Sequence, residues 1–283
     1  MSRFVKHIIF VLFLSSFGIT ISAQELDPSK EISQYSIQFY SKPQGLPIRG
    51  ALSVHQDQNG YVWFATYSGL VRFDGLQMSI YNTKNIPVIQ NNGFTSITET
   101  QNGDLYFASL DGLITLKNNK WSRLSVNDGL PSNVIEHLFC DNKNTVWIGT
   151  VDGLCFIQND SIYKLEIPEL KHVTIQDIYQ ETEQQFLIAT SEHGLIRYFV
   201  SKNSAVKLTE KLDIRCVGKT KKRLLVGTSN GLFQLKDNQL IKIEGLPSDQ
   251  ISAIYTEQNG AIWIGTYKGL SRIYSSKISN FIS

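Results

Sequence analysis

Residues Thr145 to Leu154 read TVWIGTVDGL, and near copies occur five more times: YVWFATYSGL, DLYFASLDGL, QFLIATSEHGL, RLLVGTSNGL and AIWIGTYKGL. Aligning the hydroxyl that ends each hydrophobic run selects Thr66, Ser109, Thr150, Thr190, Thr228 and Thr266, spaced by 43, 41, 40, 38 and 38 residues. A period near 40 marks a repeat architecture, and each unit must then be one supersecondary element that buries its apolar surface against its neighbours. In the third unit NVIEHLFC, TVWIGT, LCFIQ and SIYKLEI alternate apolar and polar residues, with DNKN and VDG as turns between the first three. Four short strands per unit describe a blade, so the fold expected is an all-β propeller with six repeats visible.

The repeated positions have physical causes. Gly60, Gly103, Asn144 and Gly260 fall three residues before an aromatic column, where the first hairpin turns and a positive φ suits Gly or Asn. The column itself, Trp63, Tyr106, Trp147 and Trp263, with Leu187 and Leu225 in the other two units, fills the gap between blades. Ala65, Ala108, Gly149, Ala189, Gly227 and Gly265 sit two residues on, where sheets crowd together. A proline in the turn before most units, as in GLP at Gly45, Gly129 and Gly245 and IP at Ile86 and Ile167, ends the outer strand before the chain crosses. The fifth unit lacks this proline and carries Lys222 in place of the hairpin Gly or Asn.

The boundaries expected are a secretory signal at 1–23 and a propeller at 24–283, with units near 45–85, 86–127, 128–166, 167–210, 211–243 and 244–283. Arg3 and Lys6 precede an apolar run from Ile8 to Phe17 and small residues ending at Ala23, which predicts cleavage there and a periplasmic mature chain. The rival is an uncleaved anchor, against which Ser15, Ser16, Gly18 and Ser22 count. Loss of Arg3 and Lys6 leaves 25 Lys and Arg against 25 Asp and Glu. A neutral chain offers no basic face for nucleic acid. Cys140, Cys155 and Cys216 form no disulfide framework and are expected as buried thiols, the first two lying about 10 Å apart across the Trp147 strand. Two closures of the ring are open. QYSIQFYSKPQGLP supplies the outer strand of a blade shared between the ends, or KISNFIS begins an outer strand of its own and the propeller is a longer, seven-bladed one.

The stretches GLPSNVIEHLFCDNKNTVWIGTVDGL, GLPIRGALSVHQDQNGYVWFATYSGLVRFDG and GLPSDQISAIYTEQNGAIWIGTYKGLSRIY closely resemble the two-component regulator propeller repeat. That resemblance covers residues 35 to 275. It implies a periplasmic sensor for an oligosaccharide or related small ligand, which signals through a membrane-bound histidine kinase or other regulator. Full sensors of that family, with a triple-tyrosine domain and a membrane span before the output domain, are longer than this sequence.

No enzyme is indicated by the residues. HQDQNGYVW has two residues between Asp57 and Gly60 where sialidase repeats have one. QNGYVWFAT resembles streptogramin-lyase propellers, which need a histidine acid or base, yet His55, His137, His172 and His193 are scattered without a pattern of acids. Glu181 with Glu183, and Asp237 with Glu244, read as solvated turns and faces. No metal or cofactor is expected, since ligand spacing and phosphate loops are absent. A ligand site belongs at the channel mouth, on the second hairpins and crossing turns, which selects Arg49, Tyr67, Asn91, Asp111, Asn133, Asp152, Glu192, His193, Asn230, Gln250, Tyr267 and Lys268. Tyr67 and Tyr267 hold equal places in units one and six and suit a sugar. The alternatives are a periplasmic lyase or hydrolase, or a protein-interaction scaffold.

Overall fold

The computed structural model describes residues 30, 34, 40, 45–47, 50–209, 211–220, 223–237, 239–257 and 259–282. The signal segment at 1–23, most of the stretch at 35–44, Arg49 and Lys222 lie outside the described residues. Among those described, no helix is long and apolar enough to cross a membrane.

Within Glu31–Ser283, six four-stranded antiparallel sheets follow one another, each with its strands hydrogen-bonded in chain order. The arrangement is a six-bladed β-propeller. Blade 3 shows the plan: an inner strand Ile135–Cys140, a second strand Val146–Thr150, a third Gly153–Gln158 and an outer strand Ser161–Lys164. The other inner strands are Ser53–Gln56, Phe94–Glu99, Ile175–Thr182, Ile214–Lys219 and Ile251–Thr256. The fifth unit forms a complete blade ending in Gln239–Ile243. The sixth has an outer strand of its own, Lys277–Ile282, paired from Gly269↔Ile282 to Tyr274↔Lys277. Of the two closures, it is the blade shared between the ends that the structure corrects, because this strand already occupies the fourth place in the sheet.

The hydroxyl that ends each run closes the second hairpin. Thr66 Oγ1 donates to the Gly69 carbonyl at 2.7 Å and accepts from the Ser68 amide at 3.1 Å. Ser109, Thr150, Thr190, Thr228 and Thr266 donate to the corresponding glycine carbonyl in their own blades. The glycine that follows carries a positive φ, +109° at Gly153 and +142° at Gly231, which a side chain rarely adopts.

A second clasp fixes the first hairpin and the aromatic column together. Asp57 Oδ1 accepts from the amides of Asn59 and Tyr61, while its Oδ2 accepts from the Trp63 indole at 2.8 Å. Asp141 repeats all three bonds with Lys143, Thr145 and Trp147. Glu257 bonds the Trp263 indole at 2.5 Å. In blade 2 the acid's place is taken by Thr100 and the indole's by Tyr106, so acid and indole are lost together.

The core is a series of interfaces between blades. Trp147 and Leu154 of blade 3 pack on Ile175, Phe186 and Ile196 of blade 4, and Leu225 and Leu232 of blade 5 pack on Ile251, Ile262 and Ile264 of blade 6. Small residues set the approach. A Cβ at Gly149 would lie 2.7 Å from Ile175 Cγ2, and one at Gly227 would lie 2.6 Å from Ile251 Cγ2. At Gly265 the nearest atom would be Ser252 Oγ of the same blade, at 3.0 Å. Gly149→Ala and Gly227→Ala are therefore each expected to cost about 1–3 kcal/mol by overpacking. Gly265→Ala is expected to stay within about 0.5 kcal/mol of the parent, as surface changes do. Thermal or denaturant unfolding of the three variants checks this ranking.

Candidate functional site

Strand alternation puts the second hairpins and the crossing turns at one end of the propeller, and backbone bonds tie that end together. The Gly112, Gly153 and Gly194 amides donate to the carbonyls of Asn133, Val173 and Leu212, each at the start of the next blade. The turn side chains therefore stand on a bonded frame rather than on free loops.

Several candidate residues serve that frame. Asp111 is held by Arg123 Nη2 at 2.8 Å and by Asn133 Nδ2 at 3.4 Å. Asn133 Oδ1 accepts from the Val126 amide, and Asn91 Oδ1 from the Gly93 amide. Asp152 faces His172 Nδ1 at 2.7 Å. Of the candidates, the structure brings Asp111 and Asn133 into direct contact. Glu192, Asn230, Gln250 and Lys268 are exposed in separate turns, and Arg49 lies outside the described residues. Tyr67 and Tyr267 are 59% and 80% exposed at equal turns of blades 1 and 6.

A cavity of about 580 Å³ lies beside blade 4. His193, Lys171 and Lys207 line it together with Val173, Ala205 and Val206. Of its lining, the sequence had singled out only His193, because the crossing turn and the outer strand meet there only after folding. Among the described residues, no cluster of His, Cys, Asp and Glu could hold a metal ion.

Two sequence expectations are corrected. The histidines do have acids beside them, supplied by the neighbouring unit: His55 Nε2 lies 3.2 Å from Glu99 Oε2, and His137 Nε2 lies 3.2 Å from Asp177 Oδ1. Both pairs join successive inner strands, and Asp177 Oδ2 also accepts from the Val217 amide of blade 5 at 2.7 Å. Glu181 is not a solvated residue. Its side chain is 3% exposed, and its carboxylate lies 2.6 Å from Arg197 Nε and 2.5 Å from Lys219 Nζ, so it joins blades 4 and 5.

Burial alone would raise the Glu181 carboxyl, but the hydrogen bonds and charges of Arg197 and Lys219 outweigh it and hold it below its ordinary 4.5. A carboxyl depressed in the folded state contributes stability above its unfolded pKa and loses it as pH falls through the folded one. Glu181→Gln should accordingly lower stability by about 1–3 kcal/mol at pH 7, as loss of charge-assisted hydrogen bonds does. The deficit should shrink below pH 4.5. Unfolding midpoints measured from pH 3 to pH 7 test the sign.

The three cysteines are free. Cys155 and Cys216 are buried as expected, whereas Cys140 is only half-buried at the end of its strand. Burial pushes the Cys140 thiol up to about 11, the Cys155 thiol up to about 12, and the Cys216 thiol upward as well. In native protein at pH 8 all three should resist a thiolate-directed reagent, and denaturant should release three reactive thiols.

Fold and repeat chemistry thus define the class, a propeller with clasped blades. Comparison with known families places its repeats: residues 129–152 and 245–268, the cores of the third and sixth units, match the two component regulator propeller model. Those two stretches are what the model matches. A comparison with curated protein sequences gives no match.

Among solved structures, the extracellular domain of BT4673 from B. thetaiotaomicron, described as a hybrid two component system, is 21% identical with a TM-score of 0.59. That match covers 79% of this chain and 38% of the other, so the protein spans well under half the length of that domain. PorZ, a surface component of the type-IX secretion system of Porphyromonas gingivalis, matches at 14% identity and TM-score 0.63, over 77% of this chain and 37% of its own. Virginiamycin B lyase from Staphylococcus aureus matches at 13% identity and TM-score 0.67, over 83% and 84%. At these identities the likeness is one of fold.

Proposed function

We propose that this propeller is an exported sensor module that binds an oligosaccharide or related small ligand at its turn face. It would pass the signal through a membrane-bound histidine kinase or other regulator, or through output domains of a two-component-type protein. Export rests on the pattern at 1–23, and the regulatory setting on the repeats matched at 129–152 and 245–268.

The observation that carries the ligand reading is the pair Tyr67 and Tyr267. Two aromatic rings left 59% and 80% exposed on one end of a protein that buries most of its other aromatic surface offer apolar faces with a hydroxyl at the rim. Sugars are bound by such faces together with hydrogen-bonding groups nearby. Exposed Lys268 and Gln250 supply donors and acceptors in the same blade as Tyr267. Asp111 and Asp152 are already engaged by Arg123 and His172 and shape the surface instead.

An enzyme reading draws on the likeness to the lyase fold. Its acid–base residues would have to come from the histidine–carboxylate pairs, and two of these pin inner strands of adjacent blades together. The sensor reading leaves them in that role.

Against a panel of glycan fragments, the parent protein should show a ligand-dependent rise in melting temperature. The double variant Tyr67→Ala with Tyr267→Ala should lose that rise while keeping its own unliganded melting temperature within about 2 °C, as exposed substitutions do. Undiminished stabilisation of the folded double variant would remove this face from consideration. Turnover of a panel member, abolished by His55→Ala or His137→Ala, would favour the lyase alternative.

A further inference from the structure

The outer strands of four blades carry a cation at one repeated position. It pairs with the residue two places after the hairpin glycine: Ile114↔Arg123 in blade 2, Cys155↔Lys164 in blade 3, Ile196↔Lys207 in blade 4 and Phe233↔Lys242 in blade 5. In blade 2 the residue before the hairpin glycine answers that charge, with Asp111 Oδ1 2.8 Å from Arg123 Nη2. In blade 5 the crossing turn answers it, with Asp249 Oδ2 3.0 Å from Lys242 Nζ. In blade 3 Asp152 keeps the hairpin place, and with Glu166 it lines the cleft of about 140 Å³ that Lys164 also lines. Each of these three cations therefore has carboxylates of its own chain beside it.

Blade 4 departs from this plan twice. The residue before its hairpin glycine is His193, where blades 2 and 3 have Asp111 and Asp152. Its hairpin is also one residue longer, because Thr190 Oγ1 reaches the Gly194 carbonyl across four positions and the hydroxyls of the other blades reach theirs across three. Among the described residues Lys207 makes no ion pair.

The space beside Lys207 is the cavity of about 580 Å³ between the lengthened hairpin, the crossing turn and the outer strand Ser204–Lys207, and it falls in the roughly 300–1,000 Å³ range of small-ligand sites. Val173 and Val206 give it an apolar wall, and Val206 is 52% exposed. Lys171 lines it too but already lies 3.5 Å from Glu166. One acid, Glu169, shares the lining. Lys207 is thus the cation left to answer a ligand, which suits one negative charge and disfavours several.

We propose that this cavity binds a small organic monocarboxylate, whose carboxylate meets Lys207 in place of the acid that blade 2 supplies from its own hairpin and whose apolar body lies on Val173 and Val206. The site belongs to blade 4 and does not rest on the ligand reading at Tyr67 and Tyr267, which belong to blades 1 and 6.

The test titrates the isotope-labelled full chain with sodium butyrate at constant ionic strength and follows backbone amide shifts by NMR. Saturable shifts should appear around residues 168–173, 191–195 and 204–208, and neutral butyramide should produce none. Lys207→Met should weaken butyrate binding about tenfold, as loss of a hydrogen bond to a charged group does, while Lys207→Arg should retain it. His193→Asp, which restores a built-in carboxylate before the glycine, should weaken it by a similar factor. The double variant Tyr67→Ala with Tyr267→Ala should bind butyrate as the parent does. Shifts that never saturate would overturn the proposal, as would parent affinity in folded Lys207→Met, inorganic phosphate binding the same residues as tightly as butyrate, or loss of butyrate binding in the tyrosine double variant. Lys207 is exposed and His193 half-buried in a turn, so one of the two variants remains decisive if the other misfolds.

Discussion

A four-stranded sheet with two apolar faces is insoluble in its own terms: each face must be covered, and at the five boundaries from blade 1 to blade 6 the cover is the neighbouring blade. Burial of apolar surface yields roughly 25 cal/mol per Å², so the interfaces between blades dominate the stability of the whole. Each of blades 2 to 5 is half of two interfaces and a complete unit of none. That constraint accounts for the repeat and for the alternation of Trp147-type and Gly149-type positions.

Polar groups in this architecture act mainly as fasteners. The hydroxyl of Thr150 and its equivalents satisfies turn groups that would otherwise be buried without partners. Asp57 and Asp141 each satisfy two amides and an indole with one carboxylate. Glu181, bridged to Arg197 and Lys219, and Asp177, shared by His137 and the Val217 amide, fasten one blade to the next. Groups that resemble catalytic pairs when viewed singly thus have structural partners on both sides. The exposed tyrosines at the turn face have none of this character, which is why the ligand reading rests on them.

The repeat was legible because its signals are local. Spacing, the strand beat of TVWIGT, the positive-φ positions at Gly153 and Asn144, and the packing role of Trp63 and Trp147 all follow from a few neighbouring residues. The bond from Asp141 to Trp147 was also within reach, since acid and indole are six residues apart in units one, three and six and vanish together in unit two. Asp57 in HQDQNGYVW reads first as part of a failed sialidase motif, and its role as a hairpin cap shows only in the bonds to Asn59, Tyr61 and Trp63.

The sequence by itself determined the blade: its four strands, its turns and the faces it must bury, because those depend on side-chain alternation and backbone preference over short distances. Only the tertiary structure decided which acid meets which histidine, that Glu181 is enclosed, that the sixth blade is completed by Lys277–Ile282, and that Leu270 and Val54 are exposed. Contacts between blades join residues about 40 positions apart, and no local preference encodes which of them will touch.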